Sequence, residues 1–279
     1  MNLIIQGNEV HTQDLKQLAK FAGANAIESI TQQAFRLCNA RPEMEAAIRA
    51  HCSGAQLDYA FVPATRSLSQ FGLLVMDMDS TLITIECIDE IADMVGVKPQ
   101  VAAITASAMR GEIDFAESLV RRVALLRGLD QDALQQVYDE RLELSPGAEI
   151  MLKKLKENHI KTLLVSGGFT FFTERLKQRL GLDFIAANTL EIVDGKLTGK
   201  VLGKILDAQG KADALNQLRA ELGLTNEQVI GMGDGANDLK MMAVAGISIA
   251  YHAKPVVQEQ ATYALNYVGL EGVANLLTG

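Results

Sequence analysis

Residues 73–81, Leu-Leu-Val-Met-Asp-Met-Asp-Ser-Thr, place two carboxylates at the end of an unbroken apolar run. Large apolar residues in succession read as a strand buried on both faces, as in a parallel sheet. Side chains alternate along a strand, so Asp77 and Asp79 project to one side and Met78 to the other. In an open parallel sheet, ligands bind in the crevice beyond the carboxyl ends of the strands. Two carboxylates placed there cost solvation and repel each other, which suits an active site better than a core. The pair alone has other readings: D-x-D is common in solvated loops, and it can be the metal-binding pair of a sugar-transferring enzyme.

The rest of the chain alternates as a parallel sheet requires. Ser145-Pro146-Gly147 leads into a helix from Ala148 to Asn158 and a strand, Lys161 to Val165, ending at Ser166-Gly167-Gly168. A helix begins near Phe169. Strand Phe184 to Ala186 follows, then a hairpin of Leu190–Val193 against Lys196–Thr198 turned by Asp194-Gly195. Gly210-Lys211 opens a helix to Leu222. Strand Val229 to Met232 runs into Gly233-Asp234-Gly235-Ala236-Asn237-Asp238, then helix Leu239 to Ala245 and strand Ile247 to Ile249. The pattern predicts an α/β fold, a doubly wound parallel-sheet core. Between its first strand and the next α/β unit lie four predicted helices, Glu86 to Val95, Pro99 to Arg110, Phe115 to Arg127 and Gln131 to Leu142, with Gly96, Gly111 and Gly128 at the breaks. These read as a small helical cap over 86–142, able to exclude water and select the substrate. The core is then 71–85 and 143–279.

Residues 1–70 form a segment of their own. Leu3 to Ile5 and Leu57 to Val62 read as strands, Thr12 to Phe21 and Pro42 to His51 as helices, and Ala26 to Ala34 contains an ambiguous strand. Such small α/β alternation resembles amino-acid-sensing ACT domains, without a residue motif to support it. A packing or homodimerisation module is favoured over a ligand sensor. Pro63 to Gln70 is the connector.

Composition narrows the class. A net charge of −8 argues against a nucleic-acid partner, since such proteins are usually basic. The N-terminus lacks a basic region followed by a long apolar run, and no stretch approaches a membrane span, so a cytoplasmic protein with no membrane partner is expected. Cys38, Cys52 and Cys87 form no metal-ligand pair and read as reduced thiols. The His residues show no metal or triad spacing.

Four pieces fall in order at strand ends or helix starts: Asp77-x-Asp79-Ser80-Thr81, Ser166-Gly167-Gly168, Gly210-Lys211 and Gly233 to Asp238. Each alone is a turn, a helix start or a loop. Gly231-x-Gly233 hints at a dinucleotide loop, but Asp234 would repel a pyrophosphate. Together the four resemble the haloacid-dehalogenase (HAD) superfamily over about 72–255. With Glu86, Arg122 and Phe169 added, they resemble its phosphoserine phosphatases. That resemblance implies hydrolysis of the small-molecule substrate O-phospho-L-serine to L-serine and phosphate, the last step of serine biosynthesis. It implies Asp77 as nucleophile, Asp79 as acid/base, and Glu86 and Arg122 as holders of the substrate's ammonium and carboxylate. The N-terminal segment is shorter than in the long forms of that family, which bears on regulation and not on the chemistry.

The residues suit those roles. An ionised Asp77 can attack phosphorus without a base, giving an aspartyl-phosphate. Asp79 can protonate the leaving alkoxide if its pKa is raised, then take a proton from water. Mg2+ resolves the repulsion between a phosphate and these carboxylates. Asp77, Asp234 and the main-chain carbonyl of Asp79 are its expected ligands, with Asp238 orienting a metal-bound water from outside them. Lys211 adds positive charge on the phosphoryl oxygens, and Ser166 and the Gly167 N–H can donate to them at a helix N-terminus. Asn237 positions these groups. Arg122 can hold a carboxylate bidentately, while Arg121 points elsewhere on the helix. Glu86 could instead be a helix-start carboxylate, and Met109 and Phe115 either shield the phosphoryl group or pack the cap. Two alternatives remain: a phosphotransferase passing phosphate to another alcohol such as homoserine, and a non-catalytic amino-acid sensor.

Overall fold

The computed structural model describes residues 1–278 and divides into two compact units. The first comprises Met1–Leu74, Ser145–Lys161 and Gly223–Gly279; the second comprises Val75–Leu144 and Thr162–Leu222.

The first unit opens with β1 (Asn2–Gln6), α1 (Thr12–Ala22), β2 (Ala26–Ser29), β3 (Ala34–Cys38), α2 (Glu45–Ala55) and β4 (Asp58–Val62). The strands form an antiparallel sheet in the order β2-β3-β1-β4, with Leu3 opposite both Leu37 and Phe61. Alternation sends Leu3 and Ile5 into a core with Leu15 and Leu18 of α1 and Ile48 and Cys52 of α2. Ile4 and Gln6, on the other face of β1, are buried too. There the Gln6 amide donates to the Gly272 carbonyl and accepts from the Asn275 side chain.

The strand expected within Ala26–Ala34 is β2, and the rest of that segment is the turn into β3, which was not expected. All four residues of β2 are exposed, so it carries no buried/exposed alternation to read. The second helix begins at Glu45, after a 3-10 turn over Pro42–Met44.

Next come β5 (Leu73–Met76), α3 (Cys87–Met94), α4 (Lys98–Met109), α5 (Phe115–Ala124), α6 (Asp132–Glu140), α7 (Ala148–Glu157), β6 (Lys161–Phe169), α8 (Thr170–Leu180), β7 (Phe184–Val193) and β8 (Lys196–Leu202). The chain ends with α9 (Ala208–Glu221), β9 (Val229–Gly233), α10 (Leu239–Ala243), β10 (Ile247–Tyr251), α11 (Pro255–Gln260), β11 (Tyr263–Leu265) and α12 (Glu271–Leu276). Strand order in the core is β11-β10-β9-β5-β6-β7-β8. Within the first unit β10 pairs parallel with β9 and β11; within the second, β6 pairs parallel with β7. β5 is buried at every position, as its unbroken apolar run requires.

β8 runs antiparallel to β7, and the predicted hairpin is the end of one ten-residue strand rather than a separate pair. At its turn Asp194 and Gly195 both adopt left-handed backbone, with φ of 49° and 75°. That is the geometry for which Asp-Gly is favoured in tight hairpins. β6 also extends past its predicted end, through Ser166-Gly167-Gly168, with a register shift against β7 between Val165 and Phe169.

Candidate active site

Within the second unit, the carboxyl end of β5 delivers Asp77, and the chain then turns through Met78–Leu82 with Ser80 at φ 56°. The turn is closed by the Ile83 N–H donating to the Met78 carbonyl and the Ser80 N–H to Ile85. Asp77 is buried. Its Oδ2 lies 2.7 Å from Nζ of Lys211, which is itself only 1% exposed, and its Oδ1 accepts from the Met78 N–H at 2.7 Å. Lys211 reaches this position from the first turn of α9, where Asp207 caps the helix by accepting from the Gly210 N–H. A buried ammonium beside Asp77 favours the ionised carboxylate a nucleophile needs.

Asp79 has a different environment. Its Oδ1 accepts from the Cys87 N–H at 2.9 Å, at the N-terminus of α3, and its Oδ2 accepts from the Ser166 hydroxyl at 3.2 Å. Burial pushes its pKa up, against the pull of hydrogen bonds from Cys87 and Ser166 and of the Lys211 charge. Two carboxyls two residues apart are thus separated, one by a salt bridge and one by desolvation. Such divergence is how acid and base roles are divided.

The end of β6, residues 166–168, fits around Asp79. The Gly168 N–H donates to the Ser166 Oγ at 2.8 Å, and a Cβ on Gly168 would meet Asp79 Oδ2 at 2.8 Å. A Cβ on Gly167 would meet Cζ of Phe115 at 2.8 Å, so α5 lies over this strand end through its first residue. Glu86 precedes α3 but makes no cap bond to it. Instead its Oε1 accepts from the Ser80 hydroxyl at 2.7 Å. Arg122, half-buried on α5, donates from Nε to the Ser118 carbonyl at 3.3 Å. Burial lowers its pKa, opposed by the charges of Asp89, Glu86 and Asp79. Arg121 is exposed and paired with Glu117, and Met109 is 67% exposed.

Within the first unit, Asp234, Asn237 and Asp238 occupy the loop after β9. Asp238 is buried and its Oδ2 accepts from the Gly235 N–H at 3.1 Å, while the Asp234 carbonyl accepts from the Lys254 N–H. Asp234 and Asp238 of this unit, like Asp77 of the second, are carboxylates of the kind that hold a metal ion. An all-oxygen, acidic donor set suits a hard dication and not a soft one.

Two functional candidates carry no motif. Asn188, 2% exposed on β7, donates to the Gly167 carbonyl at 2.8 Å and to Leu206, and accepts from the Leu206 N–H at 2.7 Å. It ties the end of β6 to the segment that leads into the Lys211 helix. Cys87 meets Asp79 through its N–H and its side chain, and burial beside that carboxyl pushes its thiol well above the usual range. Neither was separable in sequence from an ordinary strand or helix residue.

The haloacid dehalogenase-like hydrolase family model matches residues 74–243, well over half of the chain. The chain belongs to the haloacid dehalogenase-like hydrolases. A domain family of unknown function (DUF4072) matches residues 3–49. A phosphoserine phosphatase of Polaromonas sp. is 52% identical over 215 residues, covering 75% of this chain and 91% of its own. A crystal structure of a probable phosphoserine phosphatase from Vibrio cholerae, 39% identical, superposes with a TM-score of 0.87 over 99% of this chain and 86% of its own. A HAD family hydrolase from Salmonella enterica serovar Typhi, 35% identical, superposes at 0.90 over 99% of this chain and 97% of its own. Among the described residues no helix is long and apolar enough to cross a membrane.

Proposed function

We propose that this HAD hydrolase is a phosphoserine phosphatase that cleaves O-phospho-L-serine through a phosphorylated Asp77. The observation that carries the chemistry is the divergent pair: Asp77 in a 2.7 Å salt bridge with Lys211, and Asp79 with its pKa raised by burial. The choice of substrate rests on the similarity to curated phosphoserine phosphatases. That similarity favours hydrolysis over transfer to another alcohol and over a sensor.

In the first step an Asp77 carboxylate oxygen forms a bond to phosphorus as the bond from phosphorus to the serine oxygen breaks, and Asp79 gives its proton to that oxygen. In the second step water attacks phosphorus and passes a proton to Asp79. The Asp77–phosphorus bond then breaks, inorganic phosphate leaves, and both carboxyls return to their starting states. Ser166, the Gly167 N–H and Lys211 hold the phosphoryl oxygens, with Asn237 positioning them. Glu86 takes the substrate ammonium and Arg122 its carboxylate, which confines the amino-acid end to the side of the site formed by α3 and α5. Asp77, Asp234 and the Asp79 carbonyl would hold Mg2+, with Asp238 supporting them; when bound, the ion offsets the charge of the phosphate against these carboxylates.

Residues 86–142 act as a substrate-selecting cap on a core of 71–85 and 143–279. Residues 1–70 form an ACT-like homodimerisation module, a reading supported by the fully exposed β2 at the edge of their sheet. The net charge of −8 supports the absence of a nucleic-acid partner, and the lack of a long apolar run supports a cytoplasmic enzyme with no membrane partner. The test is phosphate release from O-phospho-L-serine, phosphothreonine and a sugar phosphate, each with Mg2+ and with chelator. Mg2+-dependent turnover favouring phosphoserine is expected. Turnover of the sugar phosphate alone would remove the Glu86 and Arg122 clamp.

A further inference from the structure

Among the described residues, the Ser118 hydroxyl is the buried side-chain polar atom left without a hydrogen-bond partner. Leaving a buried hydroxyl unsatisfied costs free energy, and such groups are rare enough in folded proteins to need a reason. An apolar residue on α5 would avoid that cost. The position of Ser118 supplies the reason. Phe115, Ser118 and Arg122 follow the i, i+3, i+7 spacing that places side chains along one helix face. One end of this face meets the end of β6, since the Phe115 ring comes within 2.8 Å of where a Cβ of Gly167 would be. The other end carries the Arg122 guanidinium, which feels the charges of Glu86 and Asp79. Ser118 also sets that guanidinium, because its carbonyl accepts from Arg122 Nε.

Burial is no obstacle to contact with substrate, for Asp77, Ser166 and Lys211 are 5%, 0% and 1% exposed. A hydroxyl beside a carboxylate-binding guanidinium can donate to the same anion, and hydrogen bonds to charged groups are the stronger kind. We infer that Ser118 is a specificity-determining residue that donates its hydroxyl hydrogen to the substrate carboxylate alongside Arg122. This rests on the phosphoserine phosphatase reading and adds a second donor to it.

The test compares wild type and Ser118→Ala on O-phospho-L-serine and on O-phosphoethanolamine, which has the same phosphate and ammonium but no carboxylate. For Ser118→Ala the expected result is a KM for phosphoserine raised about tenfold, the equivalent of about 1.4 kcal/mol. Its kcat should change little, its KM for phosphoethanolamine should stay the same, and the ligand-free unfolding midpoint should not fall. Equal losses on both substrates, or no loss on phosphoserine, would overturn the inference. So would a lowered midpoint, because the hydroxyl would then have a structural partner. A wild type that does not prefer phosphoserine over phosphoethanolamine would instead sink the functional reading, and the carboxylate donor with it.

Discussion

At the scale of single residues, the proposed chemistry turns on how two carboxyls joined by one residue are kept in different states. Asp77→Asn removes the proposed nucleophile and the anionic partner of Lys211. Phosphate release should fall by at least ~10³-fold, as losses of covalent nucleophiles do. Leaving a buried ammonium without its anion should cost up to roughly 3 kcal/mol, read from chemical unfolding. Asp79→Asn should behave differently. The raised pKa of Asp79 means that the folded state binds this proton more tightly than the unfolded chain, so its contribution to stability is present at low pH and declines as pH rises through the folded value. With chelator present, Asp79→Asn should therefore gain stability relative to wild type at neutral pH, and the gain should vanish in acid. A gain independent of pH would show that ionisation is not its source. Asp77, Asp79, Ser166 and Lys211, which the structure brings together within the second unit, could be singled out in the sequence because each ends a strand or starts a helix in a recognisable word. Ser118 and Asn188 were not, because a serine on a helix and an asparagine in a strand become informative only when their partners are known.

At the scale of elements, the end of β6 is shaped as much by missing atoms as by present ones. Gly168 leaves room for Asp79 Oδ2, which a Cβ would meet at 2.8 Å, and for Ser166 Oγ at 3.0 Å. Gly168→Ala should displace the Asp79 carboxyl and lower kcat by roughly 10²-fold, the scale of a misplacement of about 1 Å. Its effect on the unfolding midpoint should be small, since no buried contact is removed. A kcat within a factor of about two of wild type would show that the strand end yields instead. The sequence placed this strand correctly but ended it at Val165, because Ser-Gly-Gly carries turn chemistry, and pairing with β7 resumes only at Phe169 after a register shift. β3 escaped notice for the opposite reason. It is a short strand next to a wholly exposed one, and packing against β1 makes it a strand more than any pattern of its own. The helices of 86–142 were found; the start of α5 falls at Phe115 as expected, where Asp114 caps it, and the other ends shifted by one to three residues.

At the scale of the whole molecule, a buried carboxylate joins the Gln6 contacts in binding the N-terminal sheet into the first unit. Asp58, 3% exposed at the start of β4, accepts from the main-chain N–H groups of Asn266, Tyr267 and Val268 at 2.7, 2.9 and 3.1 Å. Residues separated by more than two hundred positions in sequence are thereby joined, which no local pattern announces. Asp58→Ala would leave one buried and two part-buried donors without their acceptor. At about 1 kcal/mol each, the loss should be about 3 kcal/mol, a fall in unfolding midpoint of roughly 6–12 °C for a chain of this size. Asp58→Asn gives a finer test. Burial raises the Asp58 pKa, and the three N–H groups and the charge of His252 oppose the rise without cancelling it. The folded state then takes up this proton more readily than the unfolded chain. The wild-type contribution is full below the unfolded carboxyl pKa and falls as pH rises through the folded one. Asparagine cannot ionise, so the stability advantage of wild type over Asp58→Asn should widen toward acid and narrow toward neutrality. A gap that narrows in acid would mean that the three donors outweigh burial and that Asp58 is held as a carboxylate.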